Sequence, residues 1–146
     1  MSIRFMGTYK HNLDDKLRLT VPSKFRAKLA ETVIINASYS NHLELRTDES
    51  FDYWLGELEN YSKFDGKIND LISSIGASSL DLEIDSAGRI KLSQEQLDKV
   101  NIKKEVVFIG AFDHIELWDP QIRLEYEKNI ISIENARQAL DSAKSK

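Results

Sequence analysis

The sequence contains no cysteine among its 146 residues. This absence excludes disulfides, thiolate catalysis and cysteine-based zinc sites, and it fits a reducing compartment. No window of about 18 uncharged apolar residues occurs, and the N-terminal residues lack the apolar core of a signal peptide. We therefore expect a single small domain, or two very small halves, in the cytoplasm and away from the membrane.

Familiar catalytic and cofactor motifs are also absent from the sequence. There is no G-x-G-x-x-G, no Walker loop and no G-x-S-x-G, and the three histidines, His11, His42 and His114, do not have helical metal spacing. Asp14 and Asp15 could share a proton, but neighbouring residues on a turn usually point apart. We expect no catalytic residues, no metal site, no cofactor and no small-molecule substrate.

Charge is unevenly distributed along the chain. The net charge is −4, yet residues 1–30 carry +5 and the remainder therefore carries −9. A basic segment on an acidic body can concentrate positive potential on one surface, where it attracts phosphates. A merely solvated charged face is the alternative explanation.

An internal repeat organises the whole chain at a spacing of about 71 to 72 residues. Residues 13–21 match residues 84–92, and both segments contain an Asp followed four positions later by an Arg. Further along, His42-Leu43-Glu44-Leu45 matches His114-Ile115-Glu116-Leu117. With only two copies, a pseudo-twofold pair is favoured over a solenoid.

Both halves predict the same α+β order of elements. Alternating apolar residues predict half-buried strands at residues 17–21 and 80–92, and the latter are expected to form a hairpin around residues 86–88. Pro22 is expected at a first helical position and Ser93 as a cap. The apolar runs 33–35 and 106–109 predict buried strands.

Three apolar stripes at helical spacing predict longer helices that contribute to the core or to subunit contacts. They are Phe51, Trp54, Leu55 and Leu58; Ile68, Leu71, Ile72 and Ile75; and, after Pro120, Ile122, Tyr126, Ile130 and Ile133. We divide the chain into a first half at 1–62, a helical connection at 63–78, a second half at 79–140 and a frayed tail at 141–146.

The repeated Asp-x-x-x-Arg pattern has two explanations. Each Asp can shape a turn by accepting backbone hydrogen bonds, Gly88 can adopt a positive φ, and each Arg can simply pair with its Asp. Alternatively, the turn is held rigid so that Arg18, with Lys16 and Lys24 nearby, reaches phosphates or base edges.

At these residues the chain closely resembles the MraZ family of bacterial transcriptional regulators. The resemblance rests on Leu13-Asp14-x-Lys16-x-Arg18-Leu19-x-Val21-Pro22 with Phe25-Arg26, on Asp85-x-x-Gly88-Arg89-Ile90, and on Ile115-Glu116-Leu117-Trp118. It covers nearly the full chain. Leu17 stands where the family usually has Gly, Ser93 replaces a second proline, and residues 62–74 lack an arginine-rich helix.

The resemblance implies two AbrB-like swapped-hairpin halves that form one β-barrel-like unit with flanking helices. It also implies ring-shaped homo-oligomers that bind short repeated DNA sites upstream of a division and cell wall gene cluster, at the nucleoid. The DNA-binding candidates are Arg18, Lys16, Asp14, Lys24 and Arg26, and the second motif contributes Asp85, Gly88 and Arg89.

Three functions can be weighed from the sequence. A DNA-binding regulator explains the basic segment, the Arg-bearing turns and the missing catalytic motifs together. A non-catalytic oligomeric scaffold or protein-interaction module is the alternative, whereas an enzyme has little support. Because Arg18 lies in the basic segment and Arg89 follows an acidic strand, we expect Arg18 to serve DNA affinity and Arg89 to serve folding or subunit contact.

Overall fold

A computed structural model describes residues 3–37, 41–62, 64–129 and 133–145. Two series of elements follow one another in the same order, which confirms the α+β class. The first series is β1 Phe5–Asn12, β2 Arg18–Thr20, α1 Ser23–Arg26, β3 Thr32–Ala37, β4 Leu43–Arg46 and α2 Asp48–Ser62. After α3 Gly66–Ser78, the second series is β5 Leu80–Glu83, β6 Arg89–Lys91, α4 Gln94–Lys99, β7 Glu105–Phe112, β8 Ile115–Trp118 and α5 Pro120–Asn129. Helix α6 Ile133–Lys144 follows.

The two halves exchange strands within one antiparallel sheet. The strand order is β1-β7-β8-β4-β3-β5, which reads the same from either end when equivalent strands are interchanged. Strand β1 of the first half pairs with β7 of the second, and β5 of the second half pairs with β3 of the first. Strands β4 and β8 pair with each other at the centre, where a pseudo-twofold axis relates the halves.

Two predictions about strand pairing are wrong. Residues 80–92 do not form a hairpin, because β5 joins the large sheet while β6 pairs with β2 in a separate two-stranded ribbon. The turn between them exists, closed by the Asp85 N–H to Arg89 carbonyl bond of 2.9 Å. The large sheet is also not a closed barrel, because its edge strands β1 and β5 lie at opposite ends. Within the described ranges, β2 and β6 pair with each other and do not join those edges.

Apolar side chains from both halves fill one core between the ribbon and the sheet. Leu19 and Ile90, which lie opposite each other on the ribbon, are fully buried. They belong to the same cluster as Val33 and Ile35 of β3 and Phe108 of β7, which confirms the predicted buried strands. The ribbon is therefore fixed to the sheet by its inner face, and its outer face is left toward solvent.

The helix ends and stripes agree with the sequence in part. Ser93 caps α4 in a reciprocal capping box with Gln96, as predicted, whereas Pro22 occupies the N-cap of α1 rather than the first helical position.

Helix α2 packs on α3, whose Ile75 is buried. The third stripe is divided between α5 and α6, with Ile130 outside the described residues, and α6 includes residues 141–144, which we assigned to a frayed tail. None of the described helices is long and apolar enough to cross a membrane.

Replacing Gly88 with alanine is expected to lower the free energy of unfolding by about 1 to 2 kcal/mol. Gly88 has a φ of +79°, and an added Cβ would overlap the guanidinium of Arg26. Urea denaturation measures the change. The matched control is Gly56→Ala in α2, where a Cβ meets open space and alanine should stabilise the helix by up to about 1 kcal/mol. Equal destabilisation of both variants would contradict this assignment.

Candidate nucleic-acid interface

The outer face of the β2–β6 ribbon brings both Asp-x-x-x-Arg motifs together. Arg18 pairs with Lys91, and Thr20 pairs with Arg89. Opposite residues of an antiparallel pair share a face. Since Leu19 and Ile90 occupy the buried face, Arg18, Arg89 and Lys91 lie on the other one. Two predicted candidates, Arg18 and Arg89, therefore lie on one basic surface, together with Lys91, which the sequence analysis did not identify.

Each arginine of this surface is held by its own aspartate in the same geometry. The Asp14 carboxylate accepts hydrogen bonds from the backbone N–H of Arg18 at 2.8 Å and from its Nε at 2.7 Å. Asp85 accepts the equivalent bonds from Arg89, both at 2.9 Å. The side chains of Arg18 and Arg89 are 31% and 32% exposed. Local geometry thus gives the two arginines no difference in role, although the sequence led us to expect one.

The motif carboxyls are stabilised in their ionised form. The backbone N–H of Arg18 contributes most to lowering the pKa of Asp14, and its guanidinium lowers this pKa further. The backbone and side chain of Arg89 lower the pKa of Asp85 in the same order. A lowered folded-state pKa stabilises the turn above the unfolded value of about 3.9, and this stabilisation is lost as pH falls through the folded pKa. The Asp14–Arg18 and Asp85–Arg89 ion pairs are therefore intact at neutral pH.

The other candidates surround the ribbon differently. Lys16 lies in the first turn, where its backbone N–H donates to Asp14 Oδ1 at 2.9 Å and its side chain is exposed. Lys24 is exposed on α1, directly after β2. Arg26 packs over Gly88 and donates from Nη1 to the Val21 carbonyl at 3.2 Å. Arg26 therefore has a structural contact between the halves that the sequence did not predict.

A second polar cluster lies on the central strands, and sequence reasoning missed it. Glu44 of β4 pairs in register with Glu116 of β8, and His42 and His114 lie beside them. Burial alone would raise the pKa of Glu44, but the hydrogen bond from His42 and the charge of Arg46 lower it to about 2. The internal repeat showed that these four residues occupy equivalent positions in the two halves. It did not show that they contact one another across the β4–β8 pairing.

The chain is similar to known proteins over most of its length. A family model described as "MraZ protein, putative antitoxin-like" matches residues 4–70 and 76–144, and each matched segment contains one Asp-x-x-x-Arg turn. Proteins named Transcriptional regulator MraZ from Mesoplasma florum, Mycoplasmoides gallisepticum and Spiroplasma kunkelii are 40%, 39% and 36% identical to the chain. These alignments cover 86%, 79% and 90% of this chain and 86%, 81% and 92% of those relatives.

Proposed function

Because the chain belongs to the MraZ family, we propose that it is a DNA-binding transcriptional regulator whose β2–β6 ribbon contacts the duplex. One observation carries the assignment of the interface. Arginines from both halves lie on the outer face of a single ribbon, each fixed by an aspartate. The proposed activity is binding, and the family description names no reaction.

The shape and chemistry of the ribbon fit a DNA groove. The major groove admits a two-stranded β-ribbon, and arginine reads guanine with a bidentate fork. The hydrogen bonds described for Arg18 and Arg89 to their aspartates engage Nε, so the two Nη groups of each remain for a base edge or phosphate. Lys16, Lys24 and Lys91 supply phosphate contacts, which position the protein without reading sequence.

The halves are proposed to be AbrB-like swapped hairpins, comprising residues 1–62 and 79–140 with the connection at 63–78. The exchange of β1 and β5 between the halves supports this proposal. The pairing of β2 with β6 then explains why one chain carries two motifs, because one DNA-binding ribbon needs a strand from each half.

Self-association is proposed to complete the interface, with a closed ring as the assembly. Large apolar side chains remain exposed in one chain, among them Tyr53 and Tyr61 on α2, Phe64, and Ile133 and Leu140 on α6. Apolar side chains of this size commonly mark protein contacts where they form a contiguous patch. Light scattering at micromolar concentration should give a mass several times the 16.8 kDa of the chain. A monomeric mass across salt and protein concentrations would remove the ring from the proposal.

The target is proposed to be a set of short repeated sites in the promoter of the protein's own division and cell wall gene cluster. A regulator acting there works at the nucleoid in the cytoplasm. The acidic body around the basic ribbon supports a defined orientation on the duplex, because the body repels the phosphates that the ribbon attracts.

The salt dependence of DNA binding tests the proposal. Fluorescence anisotropy with duplex from the chain's own upstream region should show log affinity falling linearly with log salt. Lys91→Ala should reduce the steepness of this slope by about one unit. Lys128→Ala, an exposed lysine in the last turn of α5, is the matched control and should leave the slope unchanged. Salt-independent binding, or no binding, would favour the oligomeric scaffold instead.

A further inference from the structure

Four side chains converge where the central strands β4 and β8 pair. His42 Nε2 lies 2.8 Å from Glu44 Oε2 and 3.5 Å from Glu116 Oε2. His114 Nε2 lies 2.9 Å from Glu116 Oε2 and 3.6 Å from Glu44 Oε2. Each histidine therefore faces both carboxylates, one from its own half and one from the other half.

The second oxygen of each carboxylate is held by a separate partner. Glu44 Oε1 accepts from Arg46 Nη1 at 2.7 Å. Glu116 Oε1 accepts from Trp118 Nε1 at 2.9 Å and from Arg123 Nη1 at 3.4 Å. These contacts fix the carboxylates so that both Oε2 atoms face the imidazoles.

The histidine rings are fixed as well. His42 stacks on Trp118 with ring centroids 4.5 Å apart. His114 Nδ1 lies 2.6 Å from Asp113 Oδ1, and this contact orients the His114 ring. His42 Nδ1 is buried and has no hydrogen-bond partner among the described residues. The His42 ring is therefore held by its Nε2 contacts with the two carboxylates and by stacking on Trp118.

We propose that His42, Glu44 and Glu116 bind one divalent transition-metal ion of the zinc class beside the pseudo-twofold axis. One ligand atom of each residue lies within 4.8 Å of those of the other two. Imidazole nitrogen and carboxylate oxygen are zinc ligands, with bond lengths of about 2.0 to 2.2 Å, so donors in a tetrahedron are separated by about 3.3 Å. His42 Nε2 lies 2.8 and 3.5 Å from the two Oε2 atoms, on either side of that value, and three protein ligands leave the fourth position to water. His114 contacts the same two carboxylates and supports them next to the ion.

The proposed ion joins the two halves rather than serving the DNA interface. Its ligands come from both halves, His42 and Glu44 from the first and Glu116 from the second, next to the β4–β8 pairing that unites them. The side chains of His114 and Glu116 are each 15% exposed, so an ion reaches the site from the surface without unfolding of the core. The sequence led us to expect no metal site because the three histidines are far apart in it and none has a helical metal spacing.

Metal titration of the full chain tests this proposal independently of DNA. Chelator-treated protein is titrated with Zn²⁺ by calorimetry, and with Co²⁺ as a probe whose visible ligand-field absorption reports coordination. We expect about one ion per chain, a visible Co²⁺ band, and a Zn²⁺-dependent rise in Tm. His42→Ala, which removes the imidazole ligand, should weaken binding at least about tenfold.

His11→Ala is the matched control, because His11 lies on β1 against the edge of Phe108 and outside the cluster. It should bind Zn²⁺ as the wild type does. If His42→Ala does not fold, Glu116→Gln replaces it, with the same expected loss. Wild-type protein without stoichiometric Zn²⁺ binding or a Co²⁺ band overturns the proposal, and so does a folded His42→Ala or Glu116→Gln variant that binds Zn²⁺ like the wild type. The cluster would then be a hydrogen-bonded ion network only.

Discussion

Replacing Arg18 and Arg89 together by alanine is expected to lower affinity for the cognate DNA by roughly 10²- to 10⁴-fold. Both side chains lie on the outer face of the β2–β6 ribbon, with their Nε bound to an aspartate. A bidentate arginine–guanine contact contributes about 1 to 3 kcal/mol to discrimination, and the double variant removes two such groups. Fluorescence anisotropy at one fixed salt concentration measures the loss, because affinities at different salt are not comparable.

The single variants separate base reading from turn stability. Arg18→Ala and Arg89→Ala should each weaken DNA binding, and Arg18→Lys should keep the phosphate attraction while losing the planar fork. Tm is measured in parallel for every variant. If a variant loses Tm without a separate loss of DNA affinity, its arginine serves only to stabilise the turn through the ion pair with its aspartate. Lys128→Ala, on α5, controls for a general change in charge.

The two arginines also test the difference expected from the sequence. The basic segment contains Arg18 but not Arg89, whereas the ribbon places both on one face with nearly equal exposure. Equal losses of affinity for the two single variants would support the ribbon as the interface. A loss confined to Arg18 would support the division of roles suggested by charge. The neighbouring helices allow such a division, because α1 carries Lys24 and Arg26 while α4 carries Glu95 and Asp98.

Local patterns in the sequence predicted the elements but not their partners. Alternation of apolar residues located β2, β5 and β6, and the Asp-x-x-x-Arg spacing located both turns. Alternation says which face of a strand is buried and nothing about which strand lies beside it. The hairpin prediction for residues 80–92 therefore failed, since β5 and β6 each pair with a strand of the first half.

The candidate site was predictable to the extent that it depends on short-range contacts. The Asp14–Arg18 and Asp85–Arg89 pairs are four residues apart and follow from turn chemistry. Lys91 joins the surface only because β6 pairs with β2, about 70 residues away in sequence. The His42–Glu44–Glu116 cluster likewise requires the pairing of β4 with β8. The repeat marked its members as equivalent, and only the tertiary structure brings them together.

A single ribbon reads only a few base pairs, because Arg18 and Arg89 are its arginines and its strands are three residues long. The affinity of one chain for one short site is therefore expected to be weak. In the proposed ring, the same ribbon is presented repeatedly, and neighbouring sites are met at high effective concentration. Such linkage raises avidity by about 10²- to 10⁴-fold when the spacing of sites matches the spacing of subunits.

DNA with three correctly spaced sites is accordingly expected to bind about 10²- to 10⁴-fold more tightly than DNA with one site. Displacing the middle site by about 5 base pairs, half a helical turn, places it on the far side of the duplex and should remove its contribution. Gel shifts with one site, three phased sites and three misphased sites measure the difference, and duplex of equal length without sites controls for nonspecific binding. Equal affinity for all three site arrangements would contradict simultaneous engagement and favour subunits that bind independently.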